Sequence, residues 1–152
     1  MRSPLTPTRP ATLVVGYGSD LRGDDAAGRR AAEALAERAL AGVEVRSATQ
    51  LTPELADELG GRRVVFVDAT VSEHTVVVRE LDAAPPAGPV SHHVDPGGLL
   101  ELAALLGTSP RAAWLVHIPA TDLGLGTELS PTTQQAVREA VDRVAELCAD
   151  SA

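Results

Sequence analysis

A chain of 152 residues, 44% of them apolar, is the size of one ordinary domain with a real core, and its formal charge of −8 leaves no basic face for a nucleic-acid backbone. One Phe, one Trp and one Tyr give no stacking platform for bases, and the single Cys148 excludes an internal disulfide and a cysteine-based zinc cluster. No apolar run reaches membrane-spanning length, the first residues lack the apolar core of a signal peptide, and one cysteine suits a reducing compartment, so a cytoplasmic protein is expected.

Residues 1–10, rich in Pro, Thr and Arg, read as a flexible leader, and residues 11–150 as one domain. Strand-like runs follow at 12–18, 43–48, 63–69, 75–81 and 112–118, several of them continuous β-branched stretches of the kind buried on both faces of a parallel sheet. Helical patterns lie between them at 24–42, 52–60, 95–107 and 130–149. Three begin with a capping residue and a proline, at Thr52-Pro53, Asp95-Pro96 and Ser130-Pro131. The order predicts an α/β fold, a three-layer αβα sandwich around a mostly parallel sheet of about five strands. Only about five residues join the third and fourth strands, too few for a parallel crossover, so the fourth is expected antiparallel at an edge.

In such sheets ligands gather at the carboxyl ends of the parallel strands. On that edge the glycine turn "VVGYGSDLRGDD" ends in adjacent carboxylates, which would repel a phosphate and suit a cation. Asp25, Asp68 after the third strand, and His92 or His93 before the third helix form a donor set for Ni²⁺, Zn²⁺ or Mn²⁺ with positions left open. Each has a plainer reading. Asp24 or Asp25 can cap the first helix, as Asp95 can cap the third. Asp68 closes a buried run, where a carboxylate is costly unless something binds it, or else it accepts hydrogen bonds from a loop. The two adjacent histidines fit an exposed loop; His117 ends a strand on the active edge, and His74 begins the edge strand at the surface. Arg29, Arg30, Glu33, Glu37 and Arg38 read as the solvated face of the first helix. Gly16, Gly18 and Gly23 permit positive φ or close backbone approach.

Other signatures fail on particular residues. Leu21 stands where a dinucleotide fingerprint needs glycine, the phosphate-loop lysine is missing, and there is no GxSxG elbow. Cys148 lies near the end of the last helix, away from the active edge.

The segments "VVGYGSDLRGDDAAGRRAAEAL", "QLTPELADEL", "VVFVDA", "SHHVDPGGLLELAALL" and "VHIPATDLGLGTELSP", in that order from Thr12 to Leu147, resemble the [NiFe] hydrogenase maturation endopeptidases. The resemblance implies a cytoplasmic hydrolase that removes the C-terminal extension of a hydrogenase large-subunit precursor after nickel insertion; charge and hydropathy leave neither nucleic acid nor membrane as partner, and the lack of an obvious exposed apolar stripe leads to the expectation of a monomer. It implies nickel ligands at Asp25, Asp68 and His93, with His92 the competitor for the last place, and a catalytic part for Asp25 and Asp68. Nickel would arrive on the substrate, and zinc or cadmium would be able to take the same ligands in vitro. A non-cleaving nickel-site sensor or chaperone and an unrelated α/β metallohydrolase are the alternatives. Two positions depart from the family pattern: Ser19 stands where asparagine is usual, and Ala26 where glycine is common.

Overall fold

The computed structural model describes residues 9–82 and 94–149. Strands β1 (Thr12–Tyr17), β2 (Val43–Ala48), β3 (Arg63–Thr70), β4 (Val77–Leu81) and β5 (Ala112–Pro119) form one sheet. The helices are α1 (Ala27–Glu37), α2 (Pro96–Leu106) and α3 (Pro131–Ala149). The strand order is β2-β1-β3-β5-β4, parallel throughout except for β4, which pairs antiparallel with β5 at the edge. The architecture expected from the element order, with its antiparallel fourth strand, is the one observed.

Alternation along the central strands divides the core in two. Val14, Val65, Val67, Val116 and Ile118 point to the face covered by α1 and α3. Leu13, Val15, Val64, Phe66 and Ala113 point to the other face, beneath α2 and the 52–60 segment. Removing aliphatic and aromatic surface from water at both faces is the main stabilising term, because the scarce aromatics leave it to Val, Leu and Ala. Arg62, 3% exposed, ties the sheet's lower edge: it pairs with Glu44 at 2.7 Å and donates to the Pro10 carbonyl at 3.0 Å.

Element ends differ from the sequence expectation in physically legible ways. The first helical pattern begins as a 3-10 turn, Gly23–Ala26, and α1 stops at Glu37; Ala39 then takes φ 48°. Pro53–Glu58 is a 3-10 segment, and Thr52, extended at φ −124°, makes no side-chain cap. Asp95 does cap α2, accepting from the Gly98 N–H at 2.7 Å. Ser130 accepts from Thr133 N–H at 3.4 Å at the start of α3. Strand β4 begins at Val77, so His74 lies exposed in the preceding turn rather than at the strand's start.

Candidate active site

Two glycines set the distance between α1 and the sheet. A Cβ on Gly28 would lie 2.3 Å from the Val67 carbonyl oxygen and 2.6 Å from that of Tyr17, so the helix reaches the ends of β1 and β3 only because that atom is missing. Gly18, at φ +149°, turns the chain so closely under the 3-10 segment that a Cβ there would lie 1.9 Å from the Asp25 carbonyl oxygen. Both acids of the glycine turn are thereby delivered to the carboxyl edge.

Their roles then part. Asp24 is 0% exposed and makes no helix cap. It accepts five hydrogen bonds from the loop after β5: from the Thr121 N–H (2.9 Å) and hydroxyl (3.2 Å), the Asp122 N–H (2.9 Å), and the Ser130 N–H (2.7 Å) and hydroxyl (2.8 Å). Burial opposes its ionisation, but the N–H groups of Ser130, Thr121 and Asp122 and the Ser130 hydroxyl outweigh burial and hold the carboxyl well below the usual carboxylate range. Asp24 is therefore a latch. Backbone bonds Asp24 N–H to Asp122 O (2.8 Å), Gly23 N–H to Gly126 O and Gly126 N–H to Leu21 O (both 3.0 Å) close the same seam. The sequence offers no sign of this latch beyond the paired acids, because its partners lie about a hundred positions away.

Asp25 is partly exposed, and its Oδ2 accepts the Ser19 N–H at 2.9 Å. That contact uses the backbone of residue 19, so serine preserves it, while the Ser19 hydroxyl accepts from the Leu21 N–H at 3.3 Å and braces the turn. Ala26 has φ −79°, a conformation alanine adopts without strain. Neither departure from the family pattern distorts the turn.

Asp68 is half-buried near the end of β3, where burial pushes its carboxyl up to about 6. Hydrogen bonds from the Tyr17 hydroxyl and the Ala69 N–H act against that rise, and the nearby negative charge of Asp25 adds to it. The two carboxylates predicted from the sequence therefore stand in electrostatic contact. Tyr17 is itself raised far above the usual phenol range, by burial and then by Asp68, so its hydroxyl stays a donor. The Tyr17 partnership was not foreseen; the signal was the position of a lone tyrosine at the end of β1, one strand from Asp68.

His117 faces Asp68 across the β3–β5 ladder. Burial, and then the charge of Arg79, lower its pKa, so at neutral pH it is an uncharged imidazole. His92 and His93 lie outside the described residues. Among those described, no group of three or more His, Cys, Asp or Glu could hold a metal ion. Two carboxylates are a hard, incomplete donor set: they suit a divalent cation that brings other ligands with it.

An open cleft of about 230 Å³ runs past Asp25, lined also by Ala69, Thr70, Val71, Ala120 and Leu123. No helix of the described residues is long and apolar enough to cross a membrane.

No family model matches the sequence, and no curated protein sequence matches it. Solved structures do. The hydrogenase maturating endopeptidase HybD from E. coli superposes with a TM-score of 0.71 at 25% identity, covering 92% of this chain and 93% of its own. The hydrogenase 2 maturation peptidase from Thaumarchaeota archaeon SCGC_AB-539-E09 gives 0.70 at 26% identity, covering 91% of this chain and 97% of its own. The [NiFe] hydrogenase maturation protease HycI from Thermococcus kodakarensis shares the fold, with a TM-score of 0.66 at 23% identity and coverage of 90% and 91%. In fold, over nearly its whole length, this chain is thus similar to hydrogenase maturation endopeptidases.

Proposed function

We propose that this protein is the endopeptidase that removes the C-terminal extension of a [NiFe] hydrogenase large-subunit precursor once nickel has been inserted. The observation that carries the reading is the pairing of Asp25 and Asp68 beside an open cleft, in a fold shared with peptidases of hydrogenase maturation. A peptide can lie in an open cleft, whereas a small-molecule metallohydrolase favours an enclosed pocket.

Nickel belongs to the substrate in this account. Asp25 and Asp68 supply only two carboxylates, fewer than a full ligand set, which suits an ion already held by the precursor, and His93 is the third ligand that the family resemblance implies. Binding the ion would fix the precursor's tail along the cleft and place one peptide bond beside the carboxylates. The positive ion also favours the ionised form of Asp68, whose carboxyl would otherwise take up a proton near pH 6. Whichever of Asp25 and Asp68 the ion left free would take the proton of the attacking water and pass it to the nitrogen of the breaking peptide bond, so that the cut leaves a new carboxyl terminus and a free amine. The Tyr17 hydroxyl holds Asp68 in place throughout.

The test is the mass of the precursor after incubation with the protein, with nickel-loaded and nickel-free precursor side by side. Loss of a C-terminal peptide from the loaded form alone supports the reading. Binding without cleavage would instead assign the protein to inspection of the loaded subunit.

A further inference from the structure

The sheet ends at β2 on one side and β4 on the other, and the two edges differ in how each would meet a copy of itself. The backbone of β2 has a fixed phase. The Ala48 carbonyl accepts the Gly18 N–H at 3.1 Å and the Gly42 carbonyl accepts the Thr12 N–H at 3.2 Å, so even-numbered residues turn their backbone groups toward β1. Because these groups alternate along a strand, those of Val43, Val45 and Ser47 turn outward. The Val43 N–H meets the Leu40 carbonyl at 3.3 Å. Among the described residues no strand lies beyond β2, which leaves an edge of the kind that pairs with another chain.

The side chains of β2 are self-complementary. An antiparallel partner centred on Val45 sets Val45 against Val45, Val43 against Ser47, and Glu44 against Arg46. Each Glu44 then stands opposite an arginine and each Arg46 opposite a glutamate. Both are already held in place: Arg46 donates to Glu44 and to Glu58 at 2.7 Å, and Arg62 donates to Glu44 at 2.7 Å. On the other face Val43 and Val45 pack only partly against the core, and pairing covers what they leave in water. Charges on an edge strand ordinarily keep other strands away, but in this register every charge meets its opposite. A two-fold axis through the middle of β4 would instead set Arg79 against Arg79.

We infer that two copies of this chain join through β2, antiparallel about a two-fold axis at Val45, doubling the five-stranded sheet. The Val45 N–H of each copy donates to the Val45 carbonyl of the other, and each Ser47 N–H donates to the opposite Val43 carbonyl. The two carboxyl edges then face opposite ways, and both clefts beside Asp25 stay open. The lack of an exposed apolar stripe, which led to the expectation of a monomer, does not bear on an edge that pairs through its backbone. The inference stands apart from the peptidase reading and is tested without the precursor.

Sedimentation equilibrium of the full chain at concentrations up to about 100 μM should show a monomer–dimer equilibrium. Ser47→Pro should weaken it about tenfold or more, because proline removes the outward N–H at an exposed edge position. Circular dichroism and thermal melting check that this variant folds. Cysteines read the register: opposed Val45 residues have Cα atoms about 5.5 Å apart, within the span of a disulfide. Val45→Cys should form a cross-linked dimer under mild oxidation, much faster than Val43→Cys, whereas wild type, whose Cys148 is buried, should form none. A monomer at every concentration overturns the inference, as does a dimer that a folded Ser47→Pro leaves intact. Equal cross-linking from positions 43 and 45 overturns it as well, and this comparison decides alone should the proline variant fail to fold.

Discussion

Replacing Asp68 by asparagine should make the protein more stable at neutral pH while abolishing its activity. In the folded chain the carboxyl is pushed from its ordinary 3.8 to about 6, chiefly by burial, so the ionised form is disfavoured there relative to the unfolded chain. That rise corresponds to about 3 kcal/mol between protonation states, and solvent access to part of the group reduces the expected effect to about 1–2 kcal/mol. Asparagine keeps an oxygen to accept from the Tyr17 hydroxyl and the Ala69 N–H, but it carries no charge. Because the folded pKa is the higher one, wild type has no deficit below pH 3.8, acquires it as pH rises toward 6, and carries it in full above. Urea unfolding of both proteins at pH 8 and at pH 4 reads this directly: Asp68→Asn should lead by about 1–2 kcal/mol at pH 8, and the lead should vanish at pH 4. An asparagine variant no more stable than wild type at pH 8 would refute the claim that Asp68 is held at the site against its own solvation.

Asp24 should behave in the opposite sense. Asp24→Asn turns an amide NH₂ toward N–H donors and should cost about 3 kcal/mol at pH 7, seen as a lower urea midpoint. Since the folded pKa of Asp24 is depressed, its contribution is present above pH 3.8 and lost as pH falls below that value, so the gap between wild type and variant should narrow in acid. Tyr17→Phe removes a hydrogen bond to ionised Asp68, and the acid limb of kcat/KM should move upward by about half a pH unit or more, measured between pH 5 and 8. Gly28→Ala places a Cβ 2.3 Å from the Val67 carbonyl oxygen and should cost about 3 kcal/mol, a fall in Tm of about 6–12 °C.

The fold was legible because it is written in local pattern. Apolar runs such as Val64–Val67 mark strands buried on both faces, and the short β3–β4 connection forces β4 antiparallel. Helix ends were less so: Thr52-Pro53 carries a start signal that the structure uses only for a 3-10 segment. At the site, Asp25 and Asp68 could be paired from strand ends alone, as parallel strands bring their carboxyl ends to one edge. Asp24 could not, because its capping signal is identical to that of Asp25 and its five donors come from a loop about a hundred residues on. The partnership of Tyr17 with Asp68 was hidden for a similar reason, since strand order, absent from the sequence, decides which strand ends are neighbours. Ser19 shows the reverse case: a side-chain change that looks consequential in sequence falls where the backbone N–H makes the contact.

The most direct test of the central claim is the single-turnover rate at which nickel-loaded large-subunit precursor loses its C-terminal peptide to wild type, to Asp25→Ala and to Asp68→Ala. If the two carboxylates engage the substrate's nickel and carry the hydrolysis, each variant should be slower by about a hundredfold or more while remaining folded. Processing by both variants at the wild-type rate would contradict the account and move the chemistry away from the Asp25–Asp68 pair.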